Sequence, residues 1–244
     1  MNLSIFKLLR QKLREEHHYI LSLKSLYESR LLFIISAFLR LITRPLHLLA
    51  SKLLLQKLWV PQIMPDGALI LYPLLDEAVI YEIYKGVYDV CEKYVKPKAK
   101  MLIVDVGAHI GLYSIKISKR YKDSLIIAIE PNPDSFKLLT LNLKLNKIKN
   151  VIPLHGAVVD FEYERRVKLY LTPRPRECTI LPRKGVPFIE IPSLTLDKVL
   201  SKFIVDFQSI VIKIDVEGAE LACLRSGYKM FNQFKGGIYV VVAS

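Results

Sequence analysis

From residue 100 onward the chain alternates apolar strand patterns with amphipathic helix patterns, and no other feature narrows the possible folds as much. "KMLIVDVGA" reads as a strand, "GLYSIKISKRY" as a helix, "SLIIAIE" as a strand, "PDSFKLLTLNLKLN" as a helix and "NVIPLHGAV" as a strand. After a looser region, residues 160–193, the pattern resumes with "LTLDKVLSKF" as a helix, "SIVIKIDV" as a strand, "EGAELACLRSG" as a helix and "GIYVVVAS" as a last strand. Strands joined through single helices need right-handed crossovers, which makes the sheet parallel and covers both its faces. Runs such as "LIIAI" and "IYVVV" are apolar throughout, as strands buried on both faces must be. The expected fold class is α/β, a doubly wound and mostly parallel sheet.

The looser region offers two short strands, "RRVKLYL" and "PFIEIP", around the loop "TPRPRECTILPRKG". Arg174, Arg176, Arg183 and Lys184 on that loop suit phosphate or carboxylate on a substrate, and suit a solvated basic loop equally. Earlier, "VPQIMPDGALILYP" reads as a connector with a short strand, and "DEAVIYEIYKGVYDVCEKYV", residues 76–95, as a helix ending at Lys96 and Pro97.

Residues 1–60 follow another pattern: they contain no glycine, mix leucines with basic residues and read as helical almost throughout. The most apolar piece, Leu31 to Leu39, is nine residues long, whereas a bilayer span takes about 20. Charges run through the segment and no small-residue cleavage site follows, so it does not read as a signal peptide. Of the chain's net charge of +13, residues 1–60 contribute +7, from ten Lys and Arg against Glu15, Glu16 and Glu28, leaving +6 for the rest. The expected organisation is a helical basic extension over residues 1–60, packed on the core or lying on an anionic membrane surface, and an α/β domain over residues 61–244. Cys91, Cys178 and Cys223 are far apart and odd in number, which argues against a disulfide framework or zinc site and for a reducing, cytoplasmic interior.

The stretch "VDVGAHIGLYSIKI" carries the first chemistry. Asp105 and Gly107 end a strand, and Gly111 precedes a helix. Ligands of open parallel sheets sit beyond the carboxyl ends of the strands. Glycine there lets the chain turn sharply and a ligand approach, and free amides at the helix start bind polar groups. The pattern is D-x-G-x-x-x-G, with an acid where a pyrophosphate-binding G-x-G-x-x-G has its first glycine. A carboxylate repels a diphosphate and attracts a cationic amino-acid moiety, which fits S-adenosylmethionine. Glu130 ends the next strand, 25 residues after Asp105, where an acid accepts hydrogen bonds from ribose hydroxyls. Asn132 followed by Pro133 reads as the N-cap and first position of the next helix.

"IVDVGAHIGLYSI", "IEPNPDSFKLLTLNLKLN", "HGAVVD", "TLDKVL" and "IVIKIDVEGAELACLRSG", in that order, resemble the FkbM-type family of S-adenosylmethionine-dependent methyltransferases; "YEIYKGVYD" is similar to that family's lead-in helix. The resemblance covers about residues 76–242 and implies a Rossmann-like class I methyltransferase domain that methylates hydroxyl groups of sugars or other small metabolites. It implies a cofactor site of Asp105, Gly107, Ala108, His109, Gly111, Glu130 and Asn132, with Ala157 lining the adenine pocket and Asp160 bonded to the adenine amino group.

Methyl transfer is an in-line displacement at a sulfonium, so the protein mainly aligns donor and acceptor and helps the acceptor's proton leave. "KIDVEGAE" places Lys213, Asp215 and Glu217 on one face of a strand for as long as the strand continues. Asp215 is the expected catalytic carboxylate, Lys213 its partner or a support for the developing alkoxide, and Glu217 an acceptor-binding group or first-turn acid. His109 and His155 are weaker candidates for a base, and no spacing suggests a metal.

The expected partners are a small-molecule or glycan acceptor and, through residues 1–60, an anionic membrane surface. RNA as acceptor is the first alternative, disfavoured because the positive charge concentrates outside the α/β domain. A non-catalytic membrane-surface protein is disfavoured by the intact Asp105, Gly107, Glu130 and Asp215, and a nicotinamide enzyme by the missing first glycine. Ser244 follows directly on the last strand, where this fold usually continues into a further strand pair, and an acid frequent in the family is replaced by Ala243. The expectation is therefore either that the sequence is truncated or that the sheet edge is completed by the N-terminal region or by another subunit, and in the last case a homo-oligomer is a further expected partner.

Overall fold

The computed structural model describes residues 59–73, 100–160, 165–172, 174–203 and 207–242, and besides these residues 34, 35, 37, 38, 42, 80, 83–86 and 88. The chain divides into two compact units, Met1–Lys85 and Gly86–Ser244. Most of the helical extension expected over residues 1–60 and of the helix expected over residues 76–95 lies outside the described residues.

In the first unit, β1 (Trp59–Ile63) and β2 (Leu69–Pro73) pair antiparallel. The expected connector with one strand is thus a hairpin. Its chain reversal follows from the turn chemistry: Gly67 takes φ 78°, Oδ1 of Asp66 accepts from the amide of Ala68 at 3.0 Å, and the amide of Met64 donates to the carbonyl of Ala68 at 2.7 Å.

The second unit contains the predicted parallel sheet. Its strands are β3 (Met101–Val106), β4 (Leu125–Glu130), β5 (Val151–His155), β9 (Ser209–Ile214) and β10 (Gly237–Val242), in the spatial order β10, β9, β3, β4, β5. The strand order reverses at β3, the central strand, all six residues of which are buried. The connecting helices are α1 (Leu112–Arg120), α2 (Pro133–Leu145), α3 (Leu196–Leu200), α4 (Glu220–Arg225) and α5 (Tyr228–Gln233). On one face Leu102, Val104, Val106, Ile127, Ile129, Ile210, Ile212 and Ile214 form a core with Leu196, Val199, Leu200 and Cys223. Each such aliphatic side chain removed from water contributes about 1.5–3 kcal/mol before the ordering entropy is subtracted.

The looser region forms a small second sheet of β6 (Ala157–Val158), β7 (Arg166–Tyr170) and β8 (Phe188–Leu194), in the order β6, β8, β7. β7 and β8 coincide with the two strands expected there. Between them, residues 171–187 run through a short 3₁₀ turn at Pro175–Glu177.

Candidate functional site

Three strand ends build the site. At the end of β3 the amides of Gly107 and Ala108 both donate to the carbonyl of Ile129, at 3.0 and 2.9 Å, tying this turn to β4. Gly107 takes φ 78°, and a Cβ there would lie 1.9 Å from the carbonyl oxygen of Asp215, so only glycine lets β3 and the segment after β9 approach this closely. Gly111, the N-cap of α1, takes φ 85°. Between them His109 is held at φ 51°, a left-handed backbone for a non-glycine residue.

The second group is the carboxylate of Glu130. It is buried, and each oxygen accepts one backbone amide: Oε2 from His109 at 2.7 Å and Oε1 from Asn132 at 2.8 Å. Burial holds this carboxyl above its ordinary value of 4.5, opposed by the charge of His109, by the amides of Asn132 and His109, and by Lys213. The side chain of Asn132 caps α2, accepting from the amides of Asp134 and Ser135 with Pro133 at the first helical position, as the sequence predicts.

Lys213, on β9, pairs in register with Asp105 on β3. Its ammonium lies 3.1 Å from Oδ1 of Asp105, donates to the carbonyl of Gly107 at 2.8 Å, and lies 3.7 Å from Oδ2 of Asp215. The rings of Tyr88 and Tyr113 face it at 5.1 and 6.0 Å. The other oxygen of Asp105 accepts from the hydroxyl of Ser114 at 2.6 Å. Asp105, expected to face a cationic ligand, is fully buried and engaged inside the protein.

Asp215 is 36% exposed. Its Oδ2 accepts from the hydroxyl of Tyr88 at 2.8 Å, and among the described residues no side chain or amide is bonded to Oδ1. The strand stops at Ile214, so the expected shared face of Lys213, Asp215 and Glu217 ends there. Glu217 sits in a turn at φ 53°, exposed at the rim. Partial burial and the like charges of Asp215 and Glu177 raise its carboxyl, while Arg176 and Arg183 lower it.

Residues 171–187 are fastened to two of these strand ends. The side-chain amide of Asn132 donates to Sγ of Cys178 at 3.4 Å, and the hydroxyl of Thr179 donates to the carbonyl of Glu217 at 2.9 Å. Arg174 is paired with Glu177 at 2.9 Å on the exposed side of this segment. His155 is not near Asp215: its Nε2 lies 3.1 Å from the carbonyl of Pro131 and its ring stacks on Phe136. For His109 it is the backbone amide that serves the site. Ala157 packs in the core of the small sheet with Val159, Val167 and Leu169, and Asp160 follows β6, half-buried.

Tyr88, Tyr113, Ser114 and Thr179 are the site residues that sequence reasoning missed. Ser114 carried one usable signal, a small hydroxyl in the first turn of a helix that follows a buried acid. Tyr88 falls in the stretch "YEIYKGVYD" that is similar to the family's lead-in helix, but it lies 127 positions from its partner and nothing local pointed to that contact.

A doubly wound parallel sheet with a glycine turn after β3 and a buried acid at the end of β4 defines a nucleotide-binding domain of the class I methyltransferase type. The chain belongs to the FkbM methyltransferase family, whose domain it matches over residues 105–243. The residues present fit S-adenosylmethionine as the donor: the turn from Gly107 to Gly111 lies at the carboxyl end of β3, and each oxygen of the buried Glu130 carboxylate keeps a lone pair beyond the amide it accepts. Among relatives, the chain is 45% identical over 61 residues to a tRNA(Phe) (4-demethylwyosine(37)-C(7)) aminocarboxypropyltransferase of Methanocaldococcus jannaschii, a match that covers 25% of this chain and 24% of that protein. It is 25% identical over 173 residues to methyltransferase sdnD of Sordaria araneosa, covering 59% and 67% of the two chains. A methyltransferase from Aquifex aeolicus described as SAM-dependent shares a TM-score of 0.35 at 14% identity, over 63% of this chain and 61% of that one.

Proposed function

We propose that this chain transfers the methyl group of S-adenosylmethionine to a hydroxyl oxygen of a sugar or other small metabolite, with Asp215 orienting that hydroxyl and accepting its proton. One observation carries the reading: Asp215 stands at the carboxyl end of β9, half-exposed, with Oδ2 held by Tyr88 and Lys213 and Oδ1 directed to no protein partner among the described residues. The O–H bond of the acceptor breaks toward Oδ1 as its oxygen bonds to the methyl carbon and the methyl-to-sulfur bond breaks, so charge and protons balance. Glu130 holds the donor's ribose, the glycine turn its amino-acid end, and Glu217 with residues 171–187 forms the rim that the acceptor crosses.

The test is transfer of tritiated methyl from S-adenosylmethionine to a panel of free sugars and sugar nucleotides, with unmodified tRNA as a parallel acceptor. Labelled sugar, reduced roughly a hundredfold or more in Asp215→Asn, supports the reading. Label entering tRNA alone overturns the small-molecule acceptor.

We further propose that residues 1–60 meet an anionic membrane. Supporting this are their net charge of +7 and the exposure of Ile34, Phe38 and Ile42 at helical spacing.

A further inference from the structure

We propose that Lys213 is a positioning residue of the donor site: its own ammonium is the permanent counter-ion of Asp105, and through the carbonyl of Gly107 it sets the glycine turn that receives S-adenosylmethionine. The inference rests on the reading of that turn as the donor site, and it changes the part given to the acid.

The charge logic of the sequence has Asp105 attract the cationic end of the cofactor. In the folded chain that attraction is already satisfied. Asp105 is 0% exposed and Lys213 3%. Oδ1 of Asp105 faces the ammonium at 3.1 Å, and Oδ2 accepts from Ser114 at 2.6 Å. The ammonium is enclosed in turn by the carbonyl of Gly107, by Oδ2 of Asp215 and by the rings of Tyr88 and Tyr113. A second cation brought to Asp105 would have to displace the first from a buried pair, which leaves an uncompensated charge in the interior.

The geometry also shows how Lys213 acts at a distance. Gly107 has no Cβ because the carbonyl of Asp215 occupies that space. The amide of Asp215 donates to the carbonyl of Val106 at 3.1 Å, and the ammonium of Lys213 ties down the next carbonyl, that of Gly107. Three consecutive constraints thus hold the turn after β3 against the segment after β9, and Lys213 supplies the one that a side chain can provide. The amide of His109, which meets Glu130, follows two residues later.

The experiment is calorimetric titration of S-adenosylhomocysteine into the wild type, Lys213→Met, Asp105→Asn and the double variant, well below their melting temperatures, with the folded fraction read by circular dichroism. Expected is a loss of roughly tenfold or more in the affinity of folded Lys213→Met, and recovery of at least about threefold when Asp105→Asn is added, because the orphaned charge is then gone. If Asp105 holds the cofactor's cation directly, the signs invert: Lys213→Met binds as tightly as the wild type or tighter, and adding Asp105→Asn weakens it. That result overturns the proposal, as does a Lys213→Met variant that melts lower yet keeps its affinity, the mark of a merely structural residue. Should Lys213→Met not fold, the wild type decides through the ¹⁵N signal of the Lys213 ammonium. A signal that stays protected from solvent exchange when S-adenosylhomocysteine is added supports the pairing, and one that is lost overturns it. A wild type with no affinity for S-adenosylhomocysteine overturns the donor-site reading itself, and the proposal with it.

Discussion

The hydroxyl of Tyr88 donates to Oδ2 of Asp215 across 2.8 Å, on the same oxygen that the ammonium of Lys213 approaches to 3.7 Å. Replacing Tyr88 by Phe removes the donor and keeps the ring beside Lys213. The expected cost is about 1 kcal/mol, read as a fall of roughly 2–4 °C in melting temperature. Affinity for S-adenosylhomocysteine is expected to stay within about twofold, because the lost bond lies on the acceptor side. A larger fall in affinity would place Tyr88 in the donor site instead.

Glu130 is the anchor expected to matter most for the donor. Glu130→Ala removes a buried carboxylate with two amide partners, and hydrogen bonds to charged groups contribute about 1.5–3 kcal/mol each. Titration with S-adenosylhomocysteine is expected to show at least a tenfold loss. An unchanged affinity would exclude Glu130 from the ribose.

The same residue gives the unfolding free energy a pH dependence of known sign. Its carboxyl titrates above 4.5 in the folded chain because it is buried. From that pH upward through the folded value, the native state therefore holds a proton that the unfolded chain has released. Stability from this group is present at lower pH and is lost as pH rises through that window. Urea unfolding of the wild type and Glu130→Gln at a series of pH values checks it: the difference between the two is expected to change across the window, and a constant difference contradicts the assignment.

Glycine substitutions separate close approach from backbone strain. Gly107 and Gly185 both have φ near 77°, but a Cβ meets the carbonyl of Asp215 at 1.9 Å in the first case and nothing within 4 Å in the second. Gly185→Ala is expected to cost about 1 kcal/mol, and Gly107→Ala more than about 3 kcal/mol because the backbone of β3 and the segment after β9 must also separate. Thermal melts of the two variants test the ranking, and equal shifts would contradict the close approach.

For the basic extension, co-sedimentation with vesicles is the direct measurement. The full chain is expected to bind phosphatidylglycerol vesicles at low salt and to be released as salt rises, and a Phe38→Asp, Ile42→Asp variant to bind less. Equal binding to neutral phosphatidylcholine would remove the electrostatic part of the reading.

Local chemistry was legible because its causes are local. Asn132 with Pro133 caps α2, Gly107 and Gly111 make the turn before α1, and apolar runs at the right spacing give strands buried on both faces; each follows from a few neighbouring residues. Glu130 was also legible, since a strand end fixes where an acid emerges. The place of Glu217 in a turn was not legible, because periodicity fixes a face only while a strand lasts, and β9 stops at Ile214.

What the sequence determined by itself was therefore the α/β class, the candidate site at the carboxyl ends of the strands, and most of the residues proposed for it. Only the tertiary structure decided what those residues do to one another. The register of β3 on β9 sets Asp105 opposite Lys213, and the fold brings Tyr88 to Asp215 from 127 positions away. A sequence states which charges exist. Which of them are taken out of water together, and so neutralise each other before any ligand arrives, depends on long-range register and burial.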